Sequence, residues 1–229
     1  MKTIGLIGGL SWYSTLDYYR YINQGVNERL GGDEAAELIL YSVNFGEIKR
    51  LTLEGNWKDI AAIMIDAAKK IETAGAECVL LGAKTMHHIA GEVAAAVRIP
   101  LLHIADAAAA AINQQKIRTV ALLGTKYTMQ FDFYRQKLTV HGITTIIPGP
   151  EDAEYINNSI YRELGKGIFR EETRKRYQGI IARLIEQGAE GVILGCTEIP
   201  LLIQQADCPI PVFDTTKLHA AAAVEFSTG

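Results

Sequence analysis

Two stretches of the chain repeat one another. Residues 75–86 read Gly-Ala-Glu-Cys-Val-Leu-Leu-Gly-Ala-Lys-Thr-Met, and residues 188–199 read Gly-Ala-Glu-Gly-Val-Ile-Leu-Gly-Cys-Thr-Glu-Ile. Each reads as a helix end, a short buried strand, and a change of element just after the strand. Other pairs follow at a nearly constant offset and in the same order. Ile4-Gly5-Leu6-Ile7-Gly8 matches Val120-Ala121-Leu122-Leu123-Gly124, Asp17-Tyr18-Tyr19-Arg20 matches Asp132-Phe133-Tyr134-Arg135, and Ile99-Pro100 matches Ile210-Pro211. Matches that keep their order mark an internal duplication, so the chain must build the same supersecondary unit twice.

Short aliphatic runs alternate with amphipathic ones in both halves. That pattern predicts an α/β fold, with two pseudo-symmetric domains each built on a parallel sheet flanked by helices. Strands are expected at 2–7, 38–43, 78–81, 99–104, 119–123, 143–147, 192–194 and 210–213. Helices are expected at 57–73, 85–97, from Asp106 to about 115, and 171–187, with one capped by Asp152 and one starting at Asp214. The expected domains are 1–98 with 209–229, and 99–208. Ligands gather at the carboxyl ends of parallel strands. The tips near Gly8, Ala83, Gly124 and Cys196 are therefore expected to line a cleft between the halves.

A formal net charge of -3 gives no basic footprint for nucleic acid. No apolar run approaches the roughly 20 residues that span a bilayer. The apolar start is also too short for a signal peptide's core, so a cytoplasmic location is expected. Cys78, Cys196 and Cys208 are the cysteines, and an odd number in a chain of 229 residues argues against a disulfide framework. Gly8-Gly9 lacks the G-x-G-x-x-G spacing of a dinucleotide site. No His, Cys or Asp cluster has metal-ligand spacing, so neither a metal nor a cofactor is expected.

Cys196 follows a strand and precedes Thr197, a natural helix cap. A helix start favours a thiolate, so Cys196 is the candidate acid/base or nucleophile. Cys78 lies mid-strand and Cys208 precedes Pro209, and both read as structural. Thr85 and Thr197 each precede or open a helix and together could cradle a carboxylate. His87 reads as a cap or an orienting group, His88 as surface and His103 as packed.

Gly8-Gly9-Leu10-Ser11-Trp12, Thr85-Met86-His87, Leu123-Gly124-Thr125 and above all Gly195-Cys196-Thr197-Glu198-Ile199 resemble the aspartate/glutamate racemase family along essentially the whole chain. The resemblance implies a PLP-independent, metal-free enzyme, a homodimer, acting on an amino acid or dicarboxylate. It implies proton transfer at Cα by one cysteine from each half. It also implies substrate contacts from Ser11, Thr85, Thr125, Thr197 and Lys166, the last of which matches a lysine that meets the side-chain carboxylate.

The chain departs from that pattern at Ala83-Lys84-Thr85, where relatives read Cys-Asn-Thr or Thr-Asn-Thr. Alanine cannot titrate. Three readings follow. Lys84 replaces the lost groups as an ion-pair partner or second base; Cys196 works alone on one face; or the pocket binds an acidic amino acid without turning it over. The expected function is cofactor-independent racemisation or isomerisation of aspartate or glutamate, with Cys196 and Lys84 as catalytic candidates.

Overall fold

A computed structural model describes residues 1–229. The chain divides into two compact units, residues 1–104 with 219–229, and residues 105–218. The first unit carries β1 (Ile4–Gly8), α1 (Trp12–Leu30), β2 (Leu38–Ser42), α2 (Phe45–Leu53), α3 (Trp57–Thr73) and β3 (Cys78–Leu81). A 3-10 turn (Lys84–Ile89), α4 (Ala90–Ala95) and β4 (Leu101–Leu102) complete its sheet. The second unit runs through α5 (Ile104–Gln114), β5 (Thr119–Leu123), α6 (Lys126–Gln130), α7 (Asp132–Val140), β6 (Thr144–Ile146) and α8 (Pro150–Arg162). It continues with a 3-10 turn (Leu164–Lys166), α9 (Glu171–Glu186), β7 (Gly191–Leu194), α10 (Ile199–Leu202) and β8 (Val212–Asp214). The terminal α11 (Thr215–Thr228) contains the second unit boundary.

Both sheets have four strands, ordered β2-β1-β3-β4 and β6-β5-β7-β8. Every pair is parallel. The two orders are the same once β1 to β4 are laid on β5 to β8, so the duplication read from the sequence is a duplication of topology. The central strands β1, β3 and β7 are buried along their whole length, which is why they read as continuous apolar runs rather than alternating ones.

Alternation within a strand decides which helix layer each side chain meets. In the first unit Ile7, Val79 and Leu81 face Ile60, Met64, Ala67 and Ile71 of α3. Ile4, Leu6 and Leu80 face Tyr18, Ile22 and Val26 of α1, together with Ala220 and Ala223 of α11. In the second unit Ala121, Leu123, Val192 and Leu194 pack with Ile156 and Ile160 of α8 and with Tyr177, Ile181 and Leu184 of α9. Burying each of these large side chains contributes about 1.5–3 kcal/mol.

The unit boundaries fall later than the sequence suggested. The strand opened by Ile99-Pro100 pairs with β3 and stays in the first unit. The strand opened by Ile210-Pro211 pairs with β7 and stays in the second. Each Ile-Pro thus completes a sheet rather than starting one. The helix expected over 85–97 is a 3-10 turn followed by the short α4. The strand expected over 99–104 shrinks to Leu101–Leu102, because α5 already begins at Ile104. Pro150, at the first position of α8, starts that helix in place of a side-chain cap. Asp152 sits in its first turn and pairs with Arg176 and Arg183. No helix is long and apolar enough to cross a membrane.

The turn after β1 depends on Gly9. Its φ is +77°, and a Cβ there would meet the Val43 carbonyl and the Ser42 hydroxyl. Gly9→Ala combines a disfavoured backbone with overpacking, and is expected to cost about 1–3 kcal/mol. A shift of the urea midpoint by the corresponding amount, at unchanged m-value, checks it.

Candidate active site

From the central strand of each sheet the chain moves first to one side, into β2 or β6, and then crosses to the other, into β3 or β7. The reversal leaves a crevice at the carboxyl ends of the central pair, where loops diverge and ligands can enter. In the first unit this switch point lies between β1 and β3, in the second between β5 and β7. Just past each pair a glycine amide closes onto the central strand. Gly82 N–H donates to the Ile7 carbonyl (2.9 Å), and Gly195 N–H donates to the Leu123 carbonyl (2.6 Å). Position 83 in one unit and 196 in the other are the next residues.

At the second unit's switch point Cys196, Thr197 and Glu198 come together. The Cys196 thiol donates to Glu198 Oε2 (2.6 Å), and the Thr197 hydroxyl donates to the same oxygen (2.9 Å). This corrects the cap expected at Thr197. Glu198 is the N-cap of α10, no side chain caps it, and α10 has only four residues. So short a helix supplies little dipole, and the thiol's partner is a carboxylate instead. Sequence reasoning gave Glu198 no role, although an acid two positions after a candidate cysteine was the available signal.

Two phenols of the same unit feel the charge of the cysteine. Burial, then Cys196, Tyr127 and Glu198, push the Tyr161 phenol of α8 upward. Burial pushes the Tyr177 phenol of α9 upward against the Ser159 hydrogen bond (2.9 Å), with Cys196, Tyr155 and Glu163 adding to the shift. Thr125 stands at the N-cap of α6, where its hydroxyl oxygen accepts from the Thr128 amide and shares a 3.2 Å hydrogen bond with the Thr128 hydroxyl. Lys166 is exposed at the end of a 3-10 turn packed against α10.

The first unit's switch point holds Ser11, Lys84 and Thr85. Ser11 is the N-cap of α1 without a side-chain cap bond, and Thr15 supplies the hydroxyl that the Gly9 amide donates to (2.9 Å). Lys84 opens the 3-10 turn and is buried along most of its length, while Thr85 is half-buried within that turn rather than capping it. Within electrostatic reach of Lys84 lies a cluster absent from the sequence reading. His87 stacks edge-on to His103 (4.4 Å between ring centres) and to His219 (5.4 Å). His219 Nε2 faces the Leu102 carbonyl (2.7 Å), which can only accept, so Nε2 carries the proton and Nδ1 accepts from the Tyr18 hydroxyl (2.8 Å). Burial, followed by His103 and then Lys84, pushes His219 down to about 4, although the Leu102 carbonyl opposes the shift. His87 is lowered by burial first, then by His103, His219 and Lys84. The cluster does not form a metal-ligand group.

The sequence profile of the Asp/Glu/Hydantoin racemase family matches residues 7–223. A crystal structure of a candidate Asp/Glu racemase from Yersinia pestis is similar over the full length of both chains, with 49% identity and a TM-score of 0.97. An aspartate racemase homologue from Pyrococcus horikoshii is likewise similar over both full lengths, at 37% identity and a TM-score of 0.91. A broad-specificity amino-acid racemase of Bacillus subtilis is 25% identical over 161 residues, covering 70% of this chain and 69% of that protein.

Two outcomes follow from the geometry. Cys78 and Cys208 are buried and their thiols are pushed up to about 11, mainly by burial, whereas Cys196 is only half-buried. Brief iodoacetamide treatment at neutral pH is expected to label one thiol per native chain, located at Cys196 by peptide mapping, and all three after unfolding. The second outcome concerns acid. His219 folds as the neutral base, so its contribution is fully present above an unfolded pKa of about 6.5 and drains as pH falls toward its folded value. From His219 alone the loss by pH 4 is on the order of 3 kcal/mol. His219→Gln keeps a donor and an acceptor without a titrating ring. Urea unfolding of the variant at pH 7, 5.5 and 4 should show a flatter pH dependence than the wild type.

Proposed function

Because the chain belongs to the Asp/Glu/hydantoin racemase family, we propose that it moves a proton at the α-carbon of an acidic amino acid without a cofactor, with Cys196 as the acid/base. The observation that carries this reading is the position of Cys196. It is a half-buried thiol at the β5/β7 switch point, hydrogen-bonded to a carboxylate, while the other two thiols are buried in structural positions.

The remaining roles follow from chemistry. Lys166, exposed on the turn beside α10, suits a side-chain carboxylate. Thr125 and Thr197 offer hydroxyls for an α-carboxylate beside the cysteine. Ser11 and Thr85 offer the same from the first unit's switch point, and the ammonium of Lys84 supplies positive charge there. A carbanion formed at Cα without a cofactor needs such fixed donors, aimed where negative charge develops. Ala83 has no proton to give, which favours a proton-transfer group on one side only. It also keeps a second reading open, in which the site binds an acidic amino acid without turning it over.

Chiral chromatography of L- and D-aspartate and L- and D-glutamate, extended to neutral amino acids, tests the proposal. Interconversion is expected for an acidic amino acid, with a fall of about 10²-fold or more in Cys196→Ala, the scale of a lost general acid/base. Binding by calorimetry with neither interconversion nor Cα-proton exchange of any substrate would leave the binding reading standing. The pair Ala83→Cys with Lys84→Asn is expected to raise the rate, since it restores a titratable group and an amide at the first tip.

A further inference from the structure

Tyr161 is 54% exposed in the last turn of α8, whereas Tyr134 and Tyr177 of the same unit are fully buried. Its neighbours belong to the β5/β7 crevice. Asn157, one helical turn earlier on the same face of α8, accepts from the Lys126 amide (2.9 Å) just past the β5 tip. Ile160, the residue before Tyr161, lies in the core against which Cys196 packs, and so does Leu164, three positions on. The backbone of Tyr161 is thus anchored on both sides, while its ring is left partly to solvent. Burial, then Cys196, Tyr127 and Glu198, raise its phenol. The hydroxyl therefore stays protonated through neutral pH and can donate. None of those three neighbours carries positive charge, so a carboxylate held among them depends on uncharged donors.

We infer that Tyr161 is a further substrate-contacting residue, whose hydroxyl donates a hydrogen bond to the α-carboxylate of the amino acid held at Cys196. This rests on the proton-transfer reading above and deepens it. The choice between the two carboxylates follows from reach. The phenol responds to Cys196, which works at Cα, and Lys166, which suits the side-chain carboxylate, is not among the groups that act on it. The contact strengthens as the reaction proceeds. When Cα loses its proton, negative charge spreads onto the α-carboxylate oxygens, and a neutral donor already aimed there holds that charge. The phenol keeps its own proton throughout and forms no covalent bond.

Protection of Cys196 from iodoacetamide tests this without any racemase assay. The L and D forms of aspartate and glutamate are titrated against the alkylation rate at neutral pH, in the full chain and in Tyr161→Phe. That variant removes one oxygen from a half-exposed ring and keeps the ring. The amino acid that protects the wild type is expected to need a roughly ten-fold higher concentration in the variant, the effect of losing one hydrogen bond to a charged group. The thermal midpoint should not move. An equal protecting concentration in both proteins would overturn the inference and leave Cys196 as the acid/base. Weaker protection accompanied by a lower thermal midpoint would mark a packing role and overturn it as well. Aspartate and glutamate share the α-carboxylate, so the loss should be the same for both. A loss confined to one of them would put the phenol on the side-chain carboxylate, against the assignment. No protection of the wild type by any of the four would overturn the substrate reading, and this contact with it.

Discussion

Gly195 donates its amide to the Leu123 carbonyl, and that bond fixes where Cys196 can be. It carries the β5–β7 register one residue beyond the ladder and releases the chain at the next. Gly82 and Ile7 do the same in the first unit. Glycine is needed at the close approach in that unit, since a Cβ on Gly82 would lie 2.9 Å from the Ile7 carbonyl oxygen. Everything specific to the site is built outward from these two releases. The strands are short and buried on both faces, so the tips inherit their rigidity from the core.

Duplication placed two equivalent tips in the fold, and their chemistry has diverged. The second unit's tip sets Glu198 against a thiol whose charge also reaches Tyr161 and Tyr177. The first unit's tip carries Ala83 where the thiol would be, a buried Lys84, and three imidazoles packed on one another. Two of those imidazoles, His87 and His219, are held neutral by burial, with Lys84 reinforcing the effect. One tip sets a thiol against a carboxylate, and the other carries a buried lysine and neutral imidazoles.

Much of this was legible because the signals were local. β3, β5 and α3 have the bounds their apolar pattern gives, with Gly75 ending the helix layer before β3. The duplicated order of elements predicted the duplicated sheet order. What escaped was set by distant partners. β4 has two residues and β8 three, too few for a pattern to say which half they complete; only pairing with β3 and β7 decides it. Tyr18 and His219 meet across 201 positions of sequence. Thr197 has the composition of a cap, yet α10 starts one residue later and its hydroxyl turns to Glu198. The residues of the Cys196–Glu198 pair were visible in the sequence, but the hydrogen bond between them was not.

The central claim is that a single intact acid/base, Cys196, moves a proton on one face of Cα. The most direct measurement is NMR of Cα–H loss in deuterium oxide, with each enantiomer of aspartate and glutamate incubated separately with wild-type protein and with Cys196→Ala. One enantiomer of the substrate should lose its Cα proton faster than it inverts, and the variant should abolish that loss. Undiminished exchange in the variant, or none in the wild type under conditions where the amino acid binds, would contradict the account.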